Sequence, residues 1–191
     1  MNTPHNLNPQ LIDEYNKCYE KGFELLSKYA ILQNSSRQQH HSLDRTQLKE
    51  VISNLSRCIA IHPSAWSAMW GLGKTYQVLD SHDKSLYWFE EALKIEKNNP
   101  DVYREATIEA LSLGNSEKAI MYSEKALSLA PNNAGILANH ALALLLNRQG
   151  DEALKTIKKA CELDPNDKIS KNVLSYIEDI VSGRKEYPFR I

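Results

Sequence analysis

No stretch of the 191 residues approaches the roughly 18 consecutive apolar residues that a membrane-spanning helix requires, so no membrane partner is expected. Neither sign of charge prevails. Lys and Arg number 23 against 24 for Asp and Glu, a formal net charge of -1, which leaves no field to draw the chain onto nucleic acid or an anionic surface. Cysteine is scarce: Cys18, Cys58 and Cys161 lie far apart, with no CxxC pair and no histidine at ligand spacing, and the expectation is reduced thiols in a core. Residues 1–10 lack the basic flank and apolar run of a secretory signal. With no membrane span, this points to a cytoplasmic protein.

Signatures of catalysis are missing too. There is no P-loop, GxGxxG or GxSxG; Gly71 and Gly73 fall inside a helical stretch, where glycine permits close helix approach. Of the histidines His5, His40, His41, His62, His82 and His140, only His40 and His41 are adjacent, in a polar stretch, and such a pair rarely builds a closed metal site. Glu90-Glu91 and Asp151-Glu152 read as solvated or helix-capping carboxylates. No enzyme, metal or cofactor is expected.

What the chain does have is a period of 34 residues. Cys58, Ala92, Ala126 and Ala160 recur at that spacing, as do Val51, Ser85, Ala119 and Ala153, and Pro63, Lys97, Pro131 and Pro165 form a third register. Small side chains recur where two helix axes approach within about 8–10 Å. A proline beyond a helix cannot continue it and restricts the residue before it. Between these marks, Leu72, Tyr76 and Leu79 form one apolar stripe and Leu86, Phe89 and Leu93 the next, at helical and not strand spacing.

These residues resemble the tetratricopeptide repeat family, whose pattern runs W-x2-L-G-x2-Y, A-x3-F-x2-A and a terminal P. Leu72-Gly73-x2-Tyr76 followed by Ser85-x3-Phe89-x2-Ala92 fits it. The next unit keeps Tyr103, Gly114, Ala119, Ala126 and Pro131, and the one after it Leu137, Ala141, Leu144, Ala153, Ala160 and Pro165. The resemblance implies an all-α, right-handed α-solenoid of antiparallel helix pairs, about 3.5 to 4 units long, with a C-terminal capping helix.

One domain over 1–191 is expected. Residues 1–65 would hold an N-terminal helix (Leu11 to Leu32), a mobile polar loop (Asn34 to Leu43) and the second helix of a first unit (Asp44 to Pro63). Repeats follow at 66–99, 100–133 and 134–167, then a capping helix at 168–183 and a tail at 184–191. The cap would turn Val173, Leu174, Ile177 and Ile180 inward and Lys168, Lys171, Glu178 and Asp179 outward. Two departures from the pattern carry expectations of their own. Arg148 stands where the turn glycine belongs, with Gly150 two residues later, which predicts a shifted turn; Lys97 in place of proline predicts a helix running on into Asn98.

The resemblance places binding on the inner face of each first helix. The candidate groove residues are Trp70, Lys74 and Gln77 with Ser67; Arg104, Ile108 and Leu111 with Asp101; and Asn139, Leu142 and Leu145 with Ala138. Trp70 reads either as a partner contact or as packing against the N-terminal helix, and Trp66 as aromatic surface or as a wedge between units. Lys74 and Arg104 suit a carboxylate on a partner, or else pair with Asp101 and Glu105 on a solvated face. Some family members hold a C-terminal carboxylate through a clamp of lysine, asparagine and arginine. Here its register falls on Trp70, Lys74, Glu105, Gly135 and Asn139, none of the type expected at its position, and no clamp is assigned.

Ala141 to Leu146 is apolar nearly all round and demands cover on every side. A partner segment, a second copy of the chain or the tail itself, with Tyr187, Pro188, Phe189 and Ile191, could supply it; the tail is preferred for its effective concentration, and there it would gate outside ligands. The leading reading is a protein–protein interaction module that holds a protein or peptide segment in its groove, with homodimerisation left open. The alternatives are a chaperone for secreted substrates, similar to the class II chaperones of type III secretion, and a regulatory or neutralising partner of an enzyme or toxin.

Overall fold

The computed structural model describes residues 8–33 and 45–191. The polar stretch 34–43, expected as a mobile loop, lies outside them. Among the described residues every regular element is a helix: α1 (Pro9–Gln33), α2 (Arg45–Ile61), α3 (Trp66–Val78), α4 (His82–Ile95), α5 (Pro100–Ser112), α6 (Ser116–Leu129), α7 (Ala134–Leu146), α8 (Gly150–Leu163) and α9 (Lys168–Val181). The chain forms two compact units, residues 1–96 and 97–191. In the first, α1 pairs with α2 and α3 with α4, while α2 packs on α3. In the second, α5 pairs with α6 and α7 with α8, α9 closes on α8, and α7 touches both α5 and α9. This is the antiparallel helix-pair architecture that the 34-residue period predicts, with α9 in the capping position.

The small-residue registers are packing registers. Cys58, Ala92, Ala126, Ala160, Val51, Ser85, Ala119 and Ala153 are all 0% exposed, so none has room for a larger side chain without moving a neighbouring helix. Gly73 shows how close the approach is: a Cβ there would lie 2.5 Å from Cε1 of Phe89, itself fully buried. The Ser85 hydroxyl donates to the Gly73 carbonyl at 2.9 Å, so α3 and α4 are joined by a hydrogen bond at the point where they come nearest.

A fourth register caps the first helices. The side chains of Asn99, Asn133 and Asp167 accept from backbone N–H groups at the starts of α5, α7 and α9, which satisfies donors that have no partner within the helix. Asn115 does the same for α6.

Two expectations fail for local reasons. Helix α4 does not run on: it ends at Ile95, and Glu96 is extended at φ -101°, ψ 96°. Pro100 bars helical angles at Asn99, and the Asn99 cap starts a new helix there. Nor is the turn before α8 shifted. Asp80, Gly114 and Arg148, one period apart, all take positive φ, at 52°, 71° and 65°. Arg148 therefore keeps the turn glycine's conformation, at a cost of about 1–2 kcal/mol for a residue bearing a Cβ.

Candidate functional site

In the first unit, α3 presents Trp70, Lys74 and Gln77 at helical spacing, all half-buried. The Trp70 ring stacks on Phe23 of α1 with centroids 6.4 Å apart and planes at 13°. Phe23 continues a row along α1: Tyr19 lies 4.5 Å from it and Tyr15 5.8 Å from Tyr19. Trp70 thus packs against the first helix and, with the half-buried Tyr19 and Phe23, extends an aromatic face. The sequence reading omitted Tyr19 and Phe23. Their signal was the four-residue spacing Tyr15, Tyr19, Phe23, which puts all three on one stripe of α1. The Lys74 ammonium donates to Oε1 of Gln77.

In the second unit, α5 and α7 carry Arg104, Ile108, Asn139 and Leu142, each half-buried. The Arg104 guanidinium is engaged, 3.3 Å from Asp101 Oδ1 and 3.1 Å from Oε1 of the buried Glu105. Leu111 and Leu145 do not belong to an open surface: they are 3% and 0% exposed and support the face from beneath. The same register carried one step further lands on Tyr176 and Asp179 of α9; the reading of that helix as a cap omits Tyr176 and sets Asp179 outward. Ile108, Leu142 and Tyr176 are one period apart and all half-buried. Asp179 is not turned to open solvent. Its Oδ1 lies 2.9 Å from Nε of Arg184 and its Oδ2 2.7 Å from Nζ of Lys185, and these two cations hold its carboxyl below the usual carboxylate range.

Behind this face, Oγ of the buried Ser123 on α6 lies 2.8 Å from Nδ1 of His140 on α7 and 3.0 Å from the Ile120 carbonyl oxygen. Burial pushes the His140 imidazole below its ordinary value, and the carboxylate of Glu124 opposes that shift. The Ser–His contact joins two helices within a packed interface.

After α9 the chain turns back over its own unit. The Lys185 N–H donates to the Asp179 carbonyl at 3.0 Å and the Ile191 N–H to the Leu111 carbonyl at 3.0 Å. The Tyr187 ring lies 4.7 Å from the Arg148 guanidinium carbon. Tyr187 and Ile191 pack on the cluster that holds Ala141, Leu144 and Leu145. The tail thus supplies part of the cover that the apolar α7 demands, at the C-terminal ends of α5 and α7.

No described helix is long and apolar enough to cross a membrane. Among the described residues, no group of three or more His, Cys, Asp and Glu is placed to hold a metal ion.

An all-α chain of antiparallel helix pairs, small residues at each crossing and a face of half-buried side chains on the first helices, is a helical-repeat protein. The family model described as "Tetratricopeptide repeat" matches residues 109–133 and 134–167, in the register read from the sequence. No curated protein matches the chain. Among solved structures it is similar to MamA (41-end) from Desulfovibrio magneticus RS-1, at 15% identity, 89% coverage of this chain, 86% of that one and TM-score 0.73. It is also similar to YrrB, described as a TPR protein with an unusual peptide-binding site, at 20% identity, 74% and 73% coverage and TM-score 0.63. The first TPR of Spaghetti (RPAP3), solved bound to the HSP90 peptide SRMEEVD, aligns at 17% identity, 62% and 94% coverage and TM-score 0.57. At these identities the likeness is one of fold.

Proposed function

We propose that the chain is a non-catalytic interaction module that holds a segment of another protein against the first-helix faces of its repeats. The observation that carries this reading is the row Ile108, Leu142 and Tyr176. These are three apolar or aromatic side chains at equivalent positions of α5, α7 and α9, each half-buried, with Tyr176 also packed against the core cluster of its unit. Flanked by Arg104 and Asn139, the row offers apolar area with polar groups beside it, the composition of a segment-binding surface. In the first unit, Trp70 with Tyr19 and Phe23 is the corresponding surface. Two similar folds, YrrB and the RPAP3 repeat, are described with a peptide-binding site or a bound peptide, which supports the reading without naming a partner for this chain.

Arg104 already has two carboxylates beside it, so the surface around it favours apolar and neutral polar side chains over an acidic segment. Chaperoning a secreted substrate and neutralising an enzyme or toxin are special cases of the same binding, separated by the identity of the partner. The test is affinity capture from native lysate with the full chain and with Leu142→Glu, Trp70→Ala and, as a control on an exposed position of α8, Lys158→Glu. Partners retained by the wild type and Lys158→Glu but lost from the folded Leu142→Glu or Trp70→Ala variant support the assignment. Retention of every partner by both folded site variants sinks it.

A further inference from the structure

The segment after α9 lies on a surface whose sequence departs from the repeat pattern at two of the points where the segment touches it, Arg148 and Gly150. In the repeat register, Gly150 corresponds to Ser116 and His82. It begins α8 without a positive φ, so its own backbone does not call for glycine. A Cβ there would lie 2.5 Å from the Tyr187 hydroxyl oxygen, so the missing side chain is the space in which Tyr187 sits. Arg148 holds a left-handed conformation with φ 65° and, from there, places its guanidinium 4.7 Å from the Tyr187 ring centroid, a cation–π distance. At Gly114, with φ 71°, a Cβ would lie 2.6 Å from the Phe189 carbonyl oxygen. The Leu111 carbonyl, at the end of α5, accepts the Ile191 N–H at 3.0 Å.

We infer that Leu111, Gly114, Arg148 and Gly150 form a peptide-binding seat for an extended segment that carries Tyr-Pro and, four residues after the tyrosine, an aliphatic residue, filled in this chain by its own residues 187–191. The recognition elements are a slot for a tyrosine hydroxyl, a cation over its ring, a glycine that lets the segment backbone approach, and a carbonyl that anchors it. Phe189 takes no part in recognition: its side chain is 93% exposed. Gly183, at φ 78° with nothing within 4 Å of where its Cβ would be, turns the chain back, and Arg184 and Lys185 pair with Asp179 at the start of the strap. The tether gives the chain's own segment a high effective concentration, so an outside segment of the same chemistry enters only when the strap is lifted. This inference does not depend on the first-helix face described above, because the seat lies at the turns and helix ends.

The test uses the full chain throughout, with a fluorescent peptide of residues 184–191 blocked at both ends. Trypsin cleavage after Lys185 reports strap release and peptide anisotropy reports access to the seat, with far-UV circular dichroism as the check on folding. In the wild type, cleavage is slow and the peptide does not bind. Tyr187→Ala speeds cleavage at least fivefold and opens the seat, so that the peptide binds at least tenfold more tightly than to wild type. Gly150→Ala, which suits a helix start, also speeds cleavage but closes the tyrosine slot, so the Tyr187→Ala/Gly150→Ala double variant loses the peptide. A peptide with Phe189→Ser binds Tyr187→Ala as well as the parent does. Equal cleavage rates in wild type and both single variants, or equal peptide affinity for Tyr187→Ala and the double variant, overturns the proposal.

Discussion

Among the described residues, His140 is a histidine whose ionisation the fold opposes. Its imidazole is held below the ordinary value near 6.5 by burial. Between the folded and unfolded values the unfolded chain binds the extra proton, so stability that is intact above about pH 6.5 is lost as the pH falls through that window. Thermal melts from pH 7.5 to 5.5 are expected to show the wild-type transition dropping relative to His140→Gln. The difference between the two proteins cancels the carboxylates and the remaining histidines; a constant difference across the range would mean that His140 is solvated in the folded state. The Ser123 hydroxyl is buried between helices and faces both a carbonyl and the ring.

At the scale of the element, the contact between paired helices is the most sensitive feature. Gly73→Ala places a methyl 2.5 Å from the Phe89 ring, and the overpacking should cost about 1–3 kcal/mol, read as a lower urea midpoint; an unchanged midpoint would mean that α3 and α4 are not in the contact described. This contact was legible in the sequence because close packing restricts composition: wherever two axes cross, only Gly, Ala, Ser, Cys or Val fits, and the restriction repeats with the unit. The asparagine caps were written in the same period but lacked a hydrophobic signal. The end of α4 is set not by residue 97 but further on, where Asn99-Pro100 starts the next helix with a cap and a proline in its first turn. Arg148 was misread for a different reason. Its conformation is set by the turn it inherits and its contact by Tyr187, 39 positions along the chain, and no local pattern joins the two. The candidate face was half legible: periodicity gave the positions on α5 and α7, but could not tell Leu111 and Leu145, which are buried, from Ile108 and Leu142, which are not, since all four are aliphatic and differ only in what packs over them.

For the molecule as a whole, the division into residues 1–96 and 97–191 means that local perturbations have local addresses. Repeat arrays gain stability from each unit and its immediate neighbours, so a single unfolding free energy need not describe both halves. The thiols provide a readout for each. Cys58, on α2, is fully buried against α1, with its sulfur 3.8 Å from the Tyr15 carbonyl oxygen, and burial pushes its pKa up to about 12. Cys161 in the other unit is half-buried. An alkylating reagent therefore reaches Cys58 only in molecules where the first two helices have parted, and its labelling rate is a stopwatch for that event, with Cys161 in the same tube marking the pace of a thiol that solvent already reaches.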